Sequence, residues 1–428
     1  MVIPSILTQH AEEASFLWLL RDRAVHAPHY TLKDLARLDN RVEAHLDGLR
    51  IAGDVGWDIC KENLSCEEPG EIFAAAVLAF ESNDEERIQT VLGAGSNEPD
   101  ADIQPSLAKS AFPTSCRSLS RAIVSALGWL PWHSAEPHAR NLTAAESPNL
   151  RRIGIAAYAV HRKDLGPLLL KGFGSSDALL RSRSLKAAGE LGRTDLLAFV
   201  QDHLKDKDEK CRFYAAWSAA LLGSEQMLPV LREIAVSKGS YAERACTLAL
   251  RRMPLNEAHA WLRELRQQEQ YARLAVQGAG ALGDPAAVPW LIEMMAVPEL
   301  ARVAGEAFSM LTGLDLAYED LETDWPEGFV AGPTEDPEDE DVALDPDEDL
   351  PWPAPALIAQ WWETHKGRFA AGNRYLAGQP IAAGQLQQVL LSGYQRQRAA
   401  AALELALLKP EQSLFEVRTA GFRPVALL

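Results

Sequence analysis

Ala-rich, helix-like runs recur along this chain about every thirty residues, each closing on a Leu-Gly pair or its equivalent and leading into a second apolar run. The closures fall at Leu127-Gly128, Val160-His161, Leu191-Gly192, Leu222-Gly223, Arg252-Met253, Leu282-Gly283 and Thr312-Gly313, with an earlier unit ending near Phe80. Successive steps are 33, 31, 31, 30, 30 and 30 residues. A period in this range marks a stacked array in which no unit buries its apolar face alone and neighbours supply the missing core. The expected fold is therefore all-α, a right-handed α-solenoid of about eight helix pairs. Such an array grows in one dimension, so 428 residues do not by themselves set a domain count.

Four regions follow from the pattern. Residues 1–66 precede the clear repeats and read as an N-terminal helical cap, because Leu35, Leu38, Val42, Leu46 and Leu49 share one helical face. Residues 67–313 form the solenoid. Within it Asp177–Leu191, Cys211–Leu222, Tyr241–Arg252 and Tyr271–Leu282 read as first helices, and Thr194 is placed to cap the second helix that follows Gly192. Residues 314–354 interrupt the pattern with an acidic, Trp-flanked insertion. Residues 355–428 then supply helices at Pro355–His365, Ala383–Leu391 and Gln395–Leu408 and a strand-like end, Leu414–Arg418, read together as an irregular, partly helical C-terminal cap. Trp325, Trp352, Trp361 and Trp362 would close the last pair.

The net charge of −18 is confined to one stretch: between Val303 and His365 stand eighteen acidic residues and no Lys or Arg. Its densest part, Glu335–Asp349, carries ten acids in fifteen residues and little to bury, the composition of a solvated excursion. Five cysteines without a CxxC pair signal neither a disulfide framework nor a zinc site, and Cys211 and Cys246 read as small buried hydrophobes. No histidine is followed by Glu, which disfavours a di-iron site built on His-Glu pairs. The amino terminus lacks a basic and apolar leader, and no stretch reaches the ~18 apolar residues of a membrane span. A cytoplasmic protein without membrane or cofactor is expected.

Gly278, Gly280 and Gly283 spell GxGxxG, but a dinucleotide site needs a strand before it and a helix opening at it. Here the residues before it are helical, so the glycines read as packing and termination points. Asp345, Asp347 and Asp349 imitate the start of an EF-hand, yet Leu350 stands where Gly is required. Arg121, Arg152, Arg183, Arg212, Arg244, Arg273 and Arg302 recur at steps of 31, 31, 29, 32, 29 and 29, each early in a first helix. They read as a ladder that either fixes the stacking of neighbouring repeats or offers a track to an acidic partner, with the acidic insertion as the chain's own candidate. Nucleic acid is disfavoured because the array is charge-balanced.

The repeat resembles the short HEAT-like repeats of phycobilisome lyase relatives, in which an Arg-containing Ala-rich helix ends in Leu-Gly and Asp or Pro opens the next. Together with LARLDNRVEAHLDGLRIAG (Leu35 to Gly53), EDPEDEDVALDPDEDLPWP (Glu335 to Pro353) and GRFAAGNRYLAGQP (Gly367 to Pro380), the chain is similar to a family of uncharacterised bacterial HEAT-like proteins often encoded with type VI secretion clusters. That resemblance implies a non-enzymatic protein-binding scaffold, an adaptor or chaperone-like accessory to a secreted effector or spike component. The ladder arginines, Trp325 and Trp352 would be its partner-binding residues. The alternative is a lyase-like or other enzyme with a site built across several repeats, for which Trp129, Trp132, His133 and His138 are the candidates.

Overall fold

The computed structural model describes residues 3–95, 119–237, 239–332 and 344–420. They form an all-α solenoid with a single two-residue β-hairpin among the described residues. In chain order the helices that precede the closing segment are α1 (Pro4–Ala24), α2 (Leu32–Ala52), α3 (Asp54–Asn63), α4 (Pro69–Ser82), α5 (Glu85–Gly95), α6 (Leu119–Trp129), α7 (Trp132–Ala144), α8 (Pro148–Val160) and α9 (Leu168–Phe173). They continue as α10 (Ala178–Glu190), α11 (Leu197–Asp202), α12 (Glu209–Leu221), α13 (Leu228–Ala235), α14 (Ala242–Arg252), α15 (Leu255–Arg266), α16 (Ala272–Leu282), α17 (Val288–Met294) and α18 (Pro298–Thr312). Helices α1, α4, α6, α8, α10, α12, α14, α16 and α18 pack in succession as one row, and α5, α7, α9, α11, α13, α15 and α17 form a second row against it.

Local chemistry sets these boundaries. Asp177 and Asp208 cap α10 and α12 by accepting from the amides of Leu180 (2.7 Å) and Cys211 (2.8 Å), each satisfying a donor the first turn leaves open. Thr194 makes no such cap; it opens a 3₁₀ turn, Thr194–Leu196, from which α11 continues. Gly192, Gly223, Gly283 and Gly313 end their first helices in the left-handed region, with φ of 64°, 90°, 71° and 73°, where a Cβ is penalised. The unit at Leu127-Gly128 behaves differently. Gly128 lies inside α6, which runs on to Trp129 before Pro131. GAGALG is punctuation, as expected: a Cβ on Gly280 would lie 2.8 Å from Ala307 Cα, so α16 and α18 approach backbone to side-chain-free backbone.

Two large cores run through the array and meet where Tyr158 packs against both. Cys211 and Cys246 are wholly buried in one of them. In α2 the face formed by Leu35, Leu38, Val42, Leu46 and Leu49 is buried, chiefly against α1, so it is not a free docking face.

The remaining helices are α19 (Pro355–His365), α20 (Ala383–Ser392) and α21 (Gln395–Leu408), with β1 (Tyr375–Leu376) and β2 (Gln379–Pro380) between the first two. Helix α19 caps the last pair through Trp361 and Trp362, both edge-on to Phe308 of α18. The rest of the segment does more than cap. The hairpin docks on the helix-ending glycines, with Tyr375 N donating to Gly283 O (2.8 Å) and Gly378 N to Leu311 O (3.0 Å). Helix α21 then reaches the opposite end of the array, where Gln395 N donates to Tyr30 O (2.8 Å). Arg396 touches both ends at once: its Nε donates to His26 O (2.9 Å), beyond α1, and its Nη1 to Glu306 of α18 (2.6 Å). Beyond α21, Leu414–Arg418 is irregular chain rather than a strand. Leu414 N donates to Glu190 O (2.9 Å) at the end of α10. The first-helix row therefore curves around this strap, and its inner side is closed.

Candidate functional site

The strap and the first-helix row border a half-open cavity of about 550 Å³. Arg121, Arg152, Arg183, Arg244 and Arg273 all line it, which places five of the seven periodic arginines on one inner face. Arg302 stands in register beyond its edge. Arg212 does not share the face: it is the fourth residue of α12 and donates to the carbonyls of Asp206 (3.0 Å) and Lys207 (3.1 Å). The rung belongs to Tyr214, 31 residues after Arg183 and 30 before Arg244. Arg244 lies over the rings of Phe213 (4.9 Å) and Tyr214 (5.6 Å). Counting arginines by type rather than by register moved that rung by two residues, a large rotation about the helix axis.

The ladder has two kinds of partner. Arg121 pairs with Asp22 (2.6 Å), Arg183 with Glu190 about two turns on in the same helix, and Arg152 donates to Ser120 Oγ of the preceding first helix (3.2 Å). The first and last of these join different units, and the second lies within α10. The far end instead holds extended chain. Arg273 grips Asp347 with both terminal nitrogens (2.7 and 2.5 Å), a planar fork on a planar carboxylate. Arg302, buried to 3% exposure, pairs with Asp345 (2.6 Å) and donates to the carbonyl of Asp347 (2.9 Å). Its guanidinium lies beside the mutually edge-on rings of Trp325 (5.1 Å) and Trp352 (4.8 Å), whose faces favour a cation. The acidic insertion thus folds back onto the ladder at Asp345–Asp347; residues 335–343 of its densest part, Glu335–Asp349, lie outside the described residues. Of the three aspartates that imitate a calcium loop, Asp345 and Asp347 are engaged by arginines and Asp349 is exposed, and no cluster able to hold a metal occurs among the described residues.

Several functional contacts carry no periodic signal. Arg162 adopts φ +53°, the left-handed conformation other repeats give to glycine. Its Nε donates to Leu414 O (2.5 Å) and its Nη2 to Glu416 (3.3 Å). Arg251, at the end of α14, pairs with Glu404 of α21 (3.1 Å), which also receives Arg374. Both sites sit where the Leu-Gly closure is replaced, at Val160-His161 and Arg252-Met253. That departure from the repeat was the available signal. Burial raises the pKa of Glu416, but Arg418 and Arg162 outweigh it and hold the carboxyl well below the usual range.

Three of the four candidates for an enzymatic site are engaged in packing, and His133 is exposed. Trp129 stands edge-on to Phe73 and donates to Glu43 (2.6 Å), Trp132 packs on Tyr158 and His161, and His138 stacks with Phe80 and bonds its carbonyl oxygen (3.0 Å). None of these three, nor His133, lines the cavity.

Residues 166–251 match the family of HEAT repeats. The helix pairs α9 to α14 are HEAT-like repeats. The match covers the middle of the array, where the Leu-Gly closures are regular, and the same pairwise packing continues through the helices on either side. HEAT repeats generally mediate contacts between proteins. No curated protein and no solved structure matches this chain. Among the described residues no helix is long and apolar enough to cross a membrane.

Proposed function

We propose that this protein is a non-enzymatic binding scaffold whose HEAT-like array captures acidic, extended segments of a partner protein. One observation supports the reading above the others: the array already holds two extended segments of its own chain, the acidic Asp345–Asp347 through the ladder arginines Arg273 and Arg302, and Leu414–Arg418 through Arg162. A HEAT surface that binds extended chain in cis has the chemistry to bind it in trans, either beside the strap or in its place. The cellular setting we propose is cytoplasmic, as an adaptor or chaperone-like accessory of a type VI secretion system, acting on an effector or spike component.

The test is affinity purification of the full chain from its host at low and moderate salt, followed by reconstitution with the purified partner. The reading expects a protein partner whose affinity rises when 409–428 is deleted and falls with salt. Recovery of no specific partner at either salt, or an affinity indifferent to both the deletion and salt, refutes it.

A further inference from the structure

Three successive first-helix ends carry one stretch of chain, and they carry it in step. Arg162, Gly192 and Gly223 follow α8, α10 and α12 in the left-handed conformation. Against them lie Leu414, Gln412 and Pro410. Arg162 Nε donates to Leu414 O (2.5 Å), a Cβ on Gly192 would stand 2.8 Å from the Gln412 backbone, and one on Gly223 would stand 3.3 Å from the Pro410 ring. Two residues of the tail thus cross each repeat. The helix ends also supply acceptors: Leu414 N donates to Glu190 O (2.9 Å) and Ser413 Oγ to Leu191 O (3.3 Å), carbonyls of a last turn that have no donor within their helix. Main-chain hydrogen bonds of this kind give affinity to any extended segment, and side chains select among segments. Two side chains select here. Leu414 packs against two of the hydrophobic cores, and the Glu416 carboxylate, 8% exposed, receives Arg162 (3.3 Å). The hold is nevertheless of a kind that releases. Helix α21 is anchored by the buried Ala406 and Leu407, whereas no apolar residue between Lys409 and Thr419 is buried. A segment fixed by polar contacts without a buried apolar anchor opens at a lower free energy than the core.

We infer that the edge formed by Arg162, Gly192 and Gly223 is a groove for an extended peptide of a partner protein, one with an apolar residue two positions before an acidic one, and that the tail Pro410–Arg418 fills it as an intramolecular competitor. The inference rests on the scaffold reading above and names the place and the sequence pattern for it. One guanidinium sets the pattern: Arg162 takes the carbonyl of Leu414 and the carboxylate of Glu416, so register and charge are read together. A buried ion pair stabilises little beyond apolar packing of the same volume. The acid at 416 therefore serves selection, since a neutral side chain there leaves Arg162 without its carboxylate.

The probe is a fluorescein-labelled peptide with the sequence of residues 409–420, titrated into the full chain and followed by anisotropy. In wild type the tethered tail competes at an effective concentration on the order of mM, so the peptide should bind weakly. The full-chain variant L414G/E416Q, whose tail keeps neither selected side chain, should bind the peptide at least tenfold more tightly. Adding R162Q should reverse that gain, and a scrambled peptide should bind the tail variant at least tenfold more weakly than the native sequence. Thermal melts compared with wild type establish that each variant is folded. If the double variant does not fold, L414G alone carries the test and should gain at least threefold. No saturable binding to a folded tail variant, equal affinity for that variant and wild type, or a gain that survives R162Q overturns the inference. So does a wild-type dimer that the tail substitutions dissociate, which gives the groove to a second copy of the chain. A partner purified from the host whose affinity falls with salt, yet is the same for wild type and tail variant, binds elsewhere on the array; it overturns this inference and leaves the scaffold reading standing.

Discussion

Glu404 is where the strap's attachment is most concentrated, and its removal gives a quantitative test of the closed architecture. The carboxylate is 4% exposed, 3.1 Å from Arg251 Nε, itself 7% exposed, and it also receives Arg374. Burial already pushes the Arg251 pKa down, against the opposing pull of Glu404. Glu404→Ala therefore strands two guanidiniums in a poorly solvated place. Breaking one side of a buried ion pair costs ~3–5 kcal/mol. Arg374 keeps other acceptors, the carbonyls of Leu282 (2.9 Å) and Arg251 (3.2 Å), so the lower end applies. A loss of about 3 kcal/mol corresponds to a roughly 150-fold rise in the opening equilibrium of α21. Amide hydrogen exchange over 395–408 reads that opening directly. A double variant, R251M/E404M, replaces the pair with apolar groups and should recover most of the protection. Acceleration of less than about fivefold in Glu404→Ala, judged against that estimate, would show that the strap is held elsewhere.

Arg302→Ala should detach the acidic insertion at a cost of ~3–5 kcal/mol of docking free energy, read as a red shift in emission from Trp325 and Trp352; unchanged emission counts against the contact of Arg302 with both rings. Gly283→Ala forces φ +71° on a residue with a Cβ and drives it into the backbone of Tyr375, so it should destabilise by at least ~1–2 kcal/mol. Gly93→Ala, in open space within α5, should be neutral or stabilising by ~0.5–1 kcal/mol, and equal effects in urea unfolding would contradict the assignment. Acid should loosen the strap in two stages. Burial, then Arg121, Arg418 and Arg396, push the His26 pKa well below its usual value, so the folded state holds it neutral and stability falls as pH drops below about 6.5. The depressed pKa of Glu416 gives the second stage, with stability full above about 4.3 and lost below it. Limited proteolysis of 409–420 across pH should show both, and His26→Gln should remove only the first.

Period and helix boundaries were legible because they are local. Apolar spacing, Asp caps and glycine stops act within one or two turns, and α19 and α21 fall on the expected residues. Register across repeats was less legible, since Arg212 and Tyr214 differ by two positions that only helix rotation separates. The strap was not legible at all. Its partners lie far away in sequence: Leu414 bonds residues more than two hundred positions earlier, and Arg396 bonds His26. Charge balance along the chain does not tell where the arginines stand. Counted along the chain, the repeats are neutral, but folding turns arginines from successive first helices onto one inner face and so separates the signs in space.

Arg396 reaches both ends of the array with one side chain, and this limits how such a protein can evolve. An open solenoid lengthens by duplicating a unit, because each pair contacts only its neighbours. Here an added helix pair would insert roughly 8–10 Å between the ends, more than one guanidinium can span. The number of repeats is therefore a closure condition, like the bond count of a ring, and change in this architecture is confined to substitutions within units and to the insertion outside them.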